Sequence, residues 1–234
     1  MLMKRFMLFA ALSLVASGVD FPEAAAKKTQ DQEYRRVVVT LTSGDRVEGY
    51  VHRGWHAESS MFKKENYSFK LAETPDAKEK EPVKYTAEEV ESVEYVEKTE
   101  GNPDGIRWEA HPLAAPSIAD RYRTLRRLVC VNKEGENATA YWWKIWTFEQ
   151  TGNIQRRVLK TMYGVRFHDD PEGIVYPYMF VNTVLMDKQY PGLKEFCKKW
   201  FKGPEGKVHK KEAKQNDAWM LDMYDAYLAQ KKEQ

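Results

Sequence analysis

The sequence predicts an α+β fold, with an antiparallel, β-rich N-terminal and central part followed by two or three C-terminal helices. Up to residue 178, short runs of β-branched and aromatic residues alternate with turn residues, which is typical of strands. From residue 193 onward, apolar residues instead recur at spacings of three and four, which indicates helices. Strands and helices do not alternate strictly along the chain, and this argues against a doubly wound parallel sheet.

The composition is that of an ordinary globular protein. The chain has 234 residues, of which 42% are hydrophobic and 13% aromatic, and its 37 basic and 35 acidic side chains leave a net charge of +2. These values exclude polytopic membrane proteins, coiled coils, collagens, disulfide-rich miniproteins and wholly disordered chains. A charge so close to balance gives no reason to expect nucleic acid as a partner.

The first 26 residues have the layout of a secretory signal peptide. Two cations precede an uncharged, mostly apolar run at residues 6–15, and small residues follow it. The run is too short to span a bilayer, which takes about 20 residues. We expect cleavage after Ser17 or Gly18, or alternatively after Ala26. A buried N-terminal helix is the competing interpretation. We therefore expect a periplasmic or extracellular protein without a transmembrane segment.

Residues 27–105 are predicted to form a β-rich region, either a small twisted sheet or a partial barrel. Its opening is a hairpin, because two β-branched runs flank the turn sequence Ser-Gly-Asp. Gly49, inside the second run, predicts a bulge or a close backbone approach. Capping-box spacing at Thr86 and Glu89 predicts one helical turn. The predicted strands cover residues 37–42, 46–51, 67–71, 83–85 and the end of 90–96.

Residues 106–178 are predicted to form a central antiparallel meander. Glycine and proline punctuate residues 100–116, so we interpret that segment as a boundary loop. Two strong turn sequences, at residues 150–153 and 169–173, separate the later strands. The predicted strands cover residues 121–131, 138–148, 154–162, 164–168 and 174–178.

Residues 179–234 are predicted to form the helical C-terminal region. Residues 193–201 and 219–228 each place apolar side chains on one face of a helix. Pro191 suits the start of the first helix, and Gly203 followed by proline suits its end. Residues 179–187 fit a strand or a helix, and their position beside Pro191 favours the helix. Residues 27–234 form either one domain or these three regions.

Taken together, these segments resemble a diffuse group of uncharacterised secreted bacterial proteins. The similarity lies in the stretches VTLTSGDRVEGYV, VKYTAEEVESVEY, TAYWWKIW, DKQYPGLKEFCKKW and WMLDMYDAYL. It covers most of the chain after the leader and depends on hydrophobic pattern and turn placement. The resemblance implies export and a β-then-α order, and it implies no activity.

Two groups of histidines and acids are candidates for a metal or hydrolytic site. His52 and His56 have the i, i+4 spacing of zinc ligands on a helix, but they follow a strand pattern, so loop histidines are the better interpretation. His168, Asp169 and Asp170 offer an imidazole and two carboxylates, although acids before Pro-Glu-Gly are also ordinary turn residues. We therefore predict no metal site.

The sequence contains none of the common catalytic or cofactor motifs. GxSxG, GxGxxG, the P-loop pattern and CxxC are all missing, so we predict no cofactor and assign no catalytic residue. His111, between alanine and proline, is given no role.

The two cysteines allow two interpretations. An oxidising compartment would permit a disulfide between Cys130 and Cys197. Cys130 lies in a strand-like run and Cys197 on the apolar face of a predicted helix. Two separate buried thiols are the favoured interpretation.

The aromatic run at residues 138–148 is the candidate ligand-binding site. In an extended chain, Tyr141 and Trp143 lie on one side, and Trp142, Lys144 and Trp146 lie on the other. If one side faces solvent, its rings form a stacking platform for glycans or other planar ligands. The favoured interpretation is that both sides are covered.

These observations predict a non-enzymatic protein of the cell envelope or extracellular space that binds a ligand or partner, such as a glycan or an envelope component. A hydrolase of an envelope or dietary polymer is one alternative, and a structural or assembly component is another. Clustered arginines and lysines provide either solvated faces or a basic surface for anionic polymers and lipid headgroups.

Overall fold

Alternating apolar residues in the first two thirds of the chain assemble into one long antiparallel sheet, and the helices follow it. The computed structural model describes residues 34–58, 67–75, 81–97, 106–115, 123–152, 154–181 and 184–233. Within these ranges the α+β class is confirmed, with antiparallel strands first and helices last. The predicted signal peptide, residues 1–26, lies outside the described residues. All of these described residues belong to one compact unit.

The described strands belong to two sheets. In the large sheet, eight strands follow one another antiparallel in the order β11-β10-β9-β8-β7-β6-β1-β2, and short β3 pairs in parallel with β9. Strands β4 and β5 form the second sheet. The strands are β1 (Tyr34–Leu41), β2 (Arg46–His52), β3 (Ala57–Glu58), β4 (Ser68–Leu71), β5 (Val83–Thr86), β6 (Val90–Tyr95), β7 (Arg107–Ala115), β8 (Arg123–Glu134), β9 (Ala138–Thr151), β10 (Ile154–Phe167) and β11 (Tyr176–Pro177).

The predicted opening hairpin is confirmed as β1 and β2. Its turn contains Gly44 at φ +89°, a conformation that favours glycine. The close approach predicted at Gly49 is also present, since a Cβ there would lie 2.7 Å from Cγ of Leu71. Beside it, Tyr50 and Ala72 exchange two backbone hydrogen bonds of 2.8 Å. Gly49 therefore lets the second sheet dock against β2.

The boundary loop predicted at residues 100–116 is wrong over Arg107–Ala115, which forms β7. Proline at position 112 misled the prediction. Its carbonyl accepts a hydrogen bond from the N–H of Val175, while Ala114 donates to the carbonyl of Val175. The proline nitrogen thus faces that side of the strand, and pairing of β7 with β8 continues without interruption.

In the described ranges, four α-helices and a short 3₁₀ turn follow the sheet. The predicted helices at residues 193–201 and 219–228 are confirmed, and part of residues 179–187 is helical. Residues 203–212 form a further helix that the sequence pattern missed, because it buries only Gly206 and has no apolar face. None of the described helices is long and apolar enough to cross a membrane. The helices are α1 (Val184–Gln189), α2 (Leu193–Trp200), α3 (Gly203–Glu212) and α4 (Trp219–Lys232), after the 3₁₀ turn Tyr178–Phe180.

The capping box predicted at Thr86 closes a turn between β5 and β6. The backbone N–H and the hydroxyl of Thr86 both donate to a carboxylate oxygen of Glu89, each at 2.8 Å. These bonds lower the pKa of Glu89. The residues after Thr86 form a hydrogen-bonded turn and lead directly into β6.

Two clusters of buried side chains make up the core. The sheet cluster surrounds Trp108 and combines the large sheet with side chains of the second sheet, such as Phe69. The helix cluster surrounds Tyr224 and joins the ends of β9 and β10 to the helices. Cys130 belongs to the sheet cluster and Cys197 to the helix cluster.

The disulfide between Cys130 and Cys197 is not present in the structure, where both are free, buried thiols. Their location in different clusters is the physical reason. Burial raises the pKa of Cys130 to about 12 and also raises the pKa of Cys197. Both side chains therefore act as small apolar core residues.

We expect neither cysteine to react with a thiol reagent in the native protein at mildly alkaline pH, because the reactive form is the thiolate. Both should react after denaturation without reductant. Thiol titration before and after addition of guanidinium chloride, with intact mass under non-reducing conditions, checks this. A mass lower by two hydrogens, with no thiol released on unfolding, would contradict it.

Candidate functional site

Strand β9 separates its aromatic side chains onto two different faces. Tyr141 and Trp143 are almost fully buried, with 0% and 2% of their surface exposed, and they belong to the sheet cluster. A Cβ at Gly164 would lie 3.0 Å from the ring of Trp143, which shows how closely this face is covered. An exposed platform built from Tyr141 and Trp143 is therefore excluded.

The opposite face of β9 carries Trp142 and Trp146, which are half-buried. Strand β10 lies antiparallel beside it, and directly opposed residues of such a pair share a face. Four cross-strand pairs extend along this face, and we call them the aromatic ladder. The pairs are Trp142–Tyr163, Lys144–Thr161, Trp146–Leu159 and Phe148–Arg157. Phe148 lies six positions after Trp142, so the ladder is roughly 20 Å long.

The inner end of the ladder is a cleft of about 230 Å³. Trp142 and Tyr163 supply two rings, and polar groups of four kinds surround them. The lining residues are Asn132 from β8, Trp142 and Lys144 from β9, Thr161 and Tyr163 from β10, and Asp217 from the loop before α4. This combination of ring faces with an amide, a hydroxyl, an ammonium and a carboxylate is typical of sites that orient a small polar ligand.

Asp217 connects the cleft to the helical region. Burial raises the pKa of Tyr163 to about 12, and its hydrogen bond to the Asp217 side chain acts in the same direction. The backbone carbonyl of Asp217 accepts a 2.7 Å hydrogen bond from the hydroxyl of Tyr178. The Tyr163 and Tyr178 rings are stacked with their centroids 6.3 Å apart. Asp217 is therefore fixed by two hydrogen bonds, one from Tyr163 to its side chain and one from Tyr178 to its backbone.

The outer end of the ladder is open to solvent. Phe148 is 65% exposed and Leu159 is 42% exposed. The guanidinium of Arg157 lies 4.6 Å from the ring centre of Trp146. The ammonium of Lys144 lies 5.4 Å from the ring centre of Trp142. The ladder thus combines apolar surface with cations that stack on its rings.

The core positions Trp142 at the inner end. Its ring meets Trp108 edge-to-face with centroids 5.1 Å apart. Trp108 is itself stacked on His56 at 4.5 Å and lies 5.6 Å from Trp55. Since Trp108 and His56 are buried, the half-exposed ring of Trp142 has a rigid support.

The histidine candidates do not form a metal site. His56 is buried in the sheet cluster against Trp108, whereas His52 is exposed and its Nδ1 lies 2.7 Å from the carbonyl of Arg53. Within the described ranges, no group of three or more histidine, cysteine, aspartate or glutamate side chains is arranged to hold a metal ion.

The segment from His168 to Asp170 ties the sheet to the helices. The two ring nitrogens of His168 each lie 2.9 Å from an oxygen, one on the Thr139 side chain and one on the Glu136 backbone. Asp169 accepts a hydrogen bond from the hydroxyl of Tyr224. Asp170 accepts from the hydroxyl of Tyr176 at 2.9 Å and from the backbone N–H of Glu172. These three side chains are already engaged in structural contacts.

A second concave site lies on β7, in the segment interpreted as a loop. This charged pocket has a volume of about 480 Å³. Acidic and basic side chains line it together. The lining residues are Glu91, Ser92, Glu94, Arg107, Glu109, Ala110, His111, Pro112, Arg126, Arg166, Glu172 and Gly173.

Glu109 is the hub of the charged pocket. One carboxylate oxygen accepts a 2.7 Å hydrogen bond from the hydroxyl of Tyr141 and lies 3.0 Å from Nε2 of His111. The other oxygen forms an ion pair with Arg107 at 2.9 Å. Burial alone would raise the pKa of Glu109, but the hydrogen bonds from His111 and Tyr141 and the charge of Arg107 lower it to about 2. Glu109 is therefore ionised at neutral pH.

The sequence offered a weak signal for this pocket. Arg107, Glu109 and His111 alternate along β7, so a strand would place all three side chains on one face. The neighbouring prolines at 112 and 116 favour a loop, and a loop gives His111 no defined partner. Tyr141 reaches the same group from β9, which is two strands away in the sheet.

Comparisons with known proteins do not assign the chain to a family. No protein-family model, no curated protein and no solved structure matches the chain.

Proposed function

We propose that this protein is an exported, non-enzymatic binding protein of the cell envelope or extracellular space, and that it holds a carbohydrate chain on the aromatic ladder. The observation that carries the proposal is the four-pair face itself. It offers a cleft between Trp142 and Tyr163 at one end and the exposed ring of Phe148 at the other.

The chemistry of the cleft suits a sugar ring. The faces of a pyranose are rows of C–H groups that stack on aromatic rings, and its edge carries hydroxyls that need donors and acceptors. In the cleft, Asp217 offers acceptor oxygens and Asn132 offers both an acceptor and donors. The cleft volume of about 230 Å³ suits one ring rather than a larger ligand.

The length of the ladder suits a chain of rings. Beyond the cleft, Trp146 and Phe148 continue the same face outward, so further sugar units would meet further apolar surface. Exposed aromatic surface of this kind is costly to leave in water and marks interaction sites on soluble proteins. Lys144 and Arg157 would tolerate acidic substituents on the chain.

The proposed export of the protein agrees with a carbohydrate ligand. The predicted signal peptide would deliver the chain to a compartment where carbohydrate polymers are abundant. The hydrolase alternative required catalytic groups to converge around His168, Asp169 and Asp170, and these side chains instead bond to Thr139, Tyr224 and Tyr176.

Affinity electrophoresis in gels containing soluble polysaccharides, with pull-down on insoluble ones, tests the proposal. We expect the protein to be retarded by at least one neutral or acidic polysaccharide. Trp146→Ala removes a ring from the ladder, and Asp217→Ala removes the acceptor oxygens from the cleft. Each should therefore weaken binding at least tenfold, which corresponds to about 1.4 kcal/mol.

The matched control is an exposed apolar residue away from the ladder. Val208 on α3 is 55% exposed, so Val208→Ser should bind like the unchanged protein, whereas Phe148→Ser should bind more weakly. Equal retardation of all these variants, or no retardation of the unchanged protein on any polysaccharide of the panel, would contradict the proposal.

A further inference from the structure

Two arginines in the charged pocket have no acidic partner within the part of the chain that the structure describes. The Nε–H of Arg126 donates to the backbone carbonyl of Ala87 at 2.8 Å, which leaves its terminal nitrogens as donors. The guanidinium carbon of Arg166 lies 6.0 Å from the ring centre of Tyr141. Among the described residues neither arginine forms an ion pair, whereas Arg107 pairs with both Glu109 and Glu134.

One buried N–H group of Arg166 also lacks a hydrogen-bond acceptor within the described ranges. Its Nε is sealed from solvent and has no hydrogen-bond acceptor among the described residues. A buried donor that belongs to a charged group and lacks an acceptor is costly, and such groups are rare in native proteins. Arg166 lines the pocket without an ion pair among the described residues, so the pocket is where a ligand could compensate its charge.

The acids of the pocket do not supply this compensation. Glu109 is engaged by Arg107, His111 and Tyr141. Glu94 is half-buried, and its charge acts on Arg107. Glu91 and Glu172 are exposed, and water screens charges at such positions.

We propose that the charged pocket binds the carboxylate group of a small ligand, with Arg126 and Arg166 as its two guanidinium donors. A planar carboxylate accepts two parallel N–H bonds from one guanidinium, which is the strongest arrangement open to an unpaired arginine. The pocket volume of about 480 Å³ falls within the range of about 300–1,000 Å³ that is typical of small-molecule sites. This site is separate from the aromatic ladder and does not depend on carbohydrate binding.

The acidic residues of the charged pocket favour a carboxylate over a phosphate as the bound group. A phosphate group carries a charge of about −1.5 to −2 at neutral pH, whereas a carboxylate carries a single charge. Even when partly screened, the four glutamates that line the pocket oppose each added negative charge, so they disfavour a phosphate more than a carboxylate. The same acids would favour a ligand that also carries a cationic or neutral body.

Isothermal titration calorimetry with an acetylated dipeptide and its C-terminal amide tests the inference on the full protein. The two probes differ only in the carboxylate. We expect saturable binding of the free acid and no measurable binding of the amide. Arg166→Gln and Arg126→Gln should each raise the dissociation constant of the acid at least tenfold, and Lys210→Gln, which alters an exposed cation of α3 outside both sites, should not change it.

Equal binding of the acid and the amide would overturn the inference, as would no binding of the acid up to its solubility limit. Binding that is unchanged in both pocket variants would do the same. Inorganic phosphate is titrated in the same way as an alternative ligand. Binding of phosphate that depends on the two arginines, without binding of the acid, would contradict the choice of carboxylate. If a variant fails to fold by circular dichroism, the comparison of acid with amide on the unchanged protein still decides the question.

Discussion

Replacing Trp108 with alanine is expected to lower the free energy of unfolding by about 3–5 kcal/mol, the largest stability loss we predict. Trp108 is fully buried in the sheet cluster, where it contacts Trp55, His56 and Trp142. Its removal leaves a cavity that these neighbours can fill only in part. Denaturant unfolding followed by far-UV circular dichroism measures the loss.

Two further variants test whether the stability loss at Trp108 comes from the burial of its ring. Phe148→Ala removes an aromatic ring that is 65% exposed, so its effect on stability should stay within about 0.5 kcal/mol. Trp108→Phe should fall between the two, because it keeps part of the volume. Equal stability losses for Trp108→Ala and Phe148→Ala would show that Trp108 does not lie in the hydrophobic core.

The second large effect is expected at Glu109. Its pKa falls from 4.5 to about 2 on folding, which corresponds to at most about 3 kcal/mol of stabilisation from the ionised form. Glu109→Gln keeps the shape of the side chain but removes the charge that faces Arg107 and His111. We expect this variant to lose up to about 3 kcal/mol of stability at neutral pH.

The pH dependence of this loss follows from the direction of the shift. Because the folded pKa lies below the unfolded one, the unfolded chain binds the proton first as the pH falls. The stabilisation is therefore complete above about pH 5 and disappears as the pH falls through 4.5 towards 2. The stability difference between the unchanged protein and Glu109→Gln should shrink over the same window.

Urea unfolding of both proteins across this pH range checks the prediction. Glu48→Gln is the control, because Glu48 pairs with Arg36 on the surface with 58% of its side chain exposed. Surface pairs contribute between about 0 and 1 kcal/mol, so this variant should change little. A difference at Glu109 that stays constant down to about pH 2 would contradict the assignment of the effect to its ionisation.

The candidate site could be predicted from the sequence only in part. Alternation along β9 places Trp142 and Trp146 on one face and Tyr141 and Trp143 on the other, and the structure has this separation. Which face is covered depends on what lies across it, and no pattern within residues 138–148 contains that information. The partners Tyr163, Thr161 and Leu159 follow only from the register of β10.

The charged pocket was harder to predict, because its members come from separate strands. Glu109 and His111 lie on β7, Arg126 on β8 and Arg166 on β10, and only the strand order brings them together. The preference of proline for loops concealed β7, although a proline removes a hydrogen-bond donor from only one side of a strand and leaves pairing on the other side intact.

By itself, the sequence determined the local features of this protein. Turn chemistry at Gly44, β-branched alternation and helical spacing after residue 193 depend on neighbours within a few positions, so the α+β class and most elements could be predicted. Tertiary structure alone decided which aromatic face stays open, that Cys130 and Cys197 lie in different clusters, and that Arg126 and Arg166 share a pocket. Those outcomes depend on contacts between residues far apart in the chain, and these contacts arise only when the strands pair and the helices pack on them.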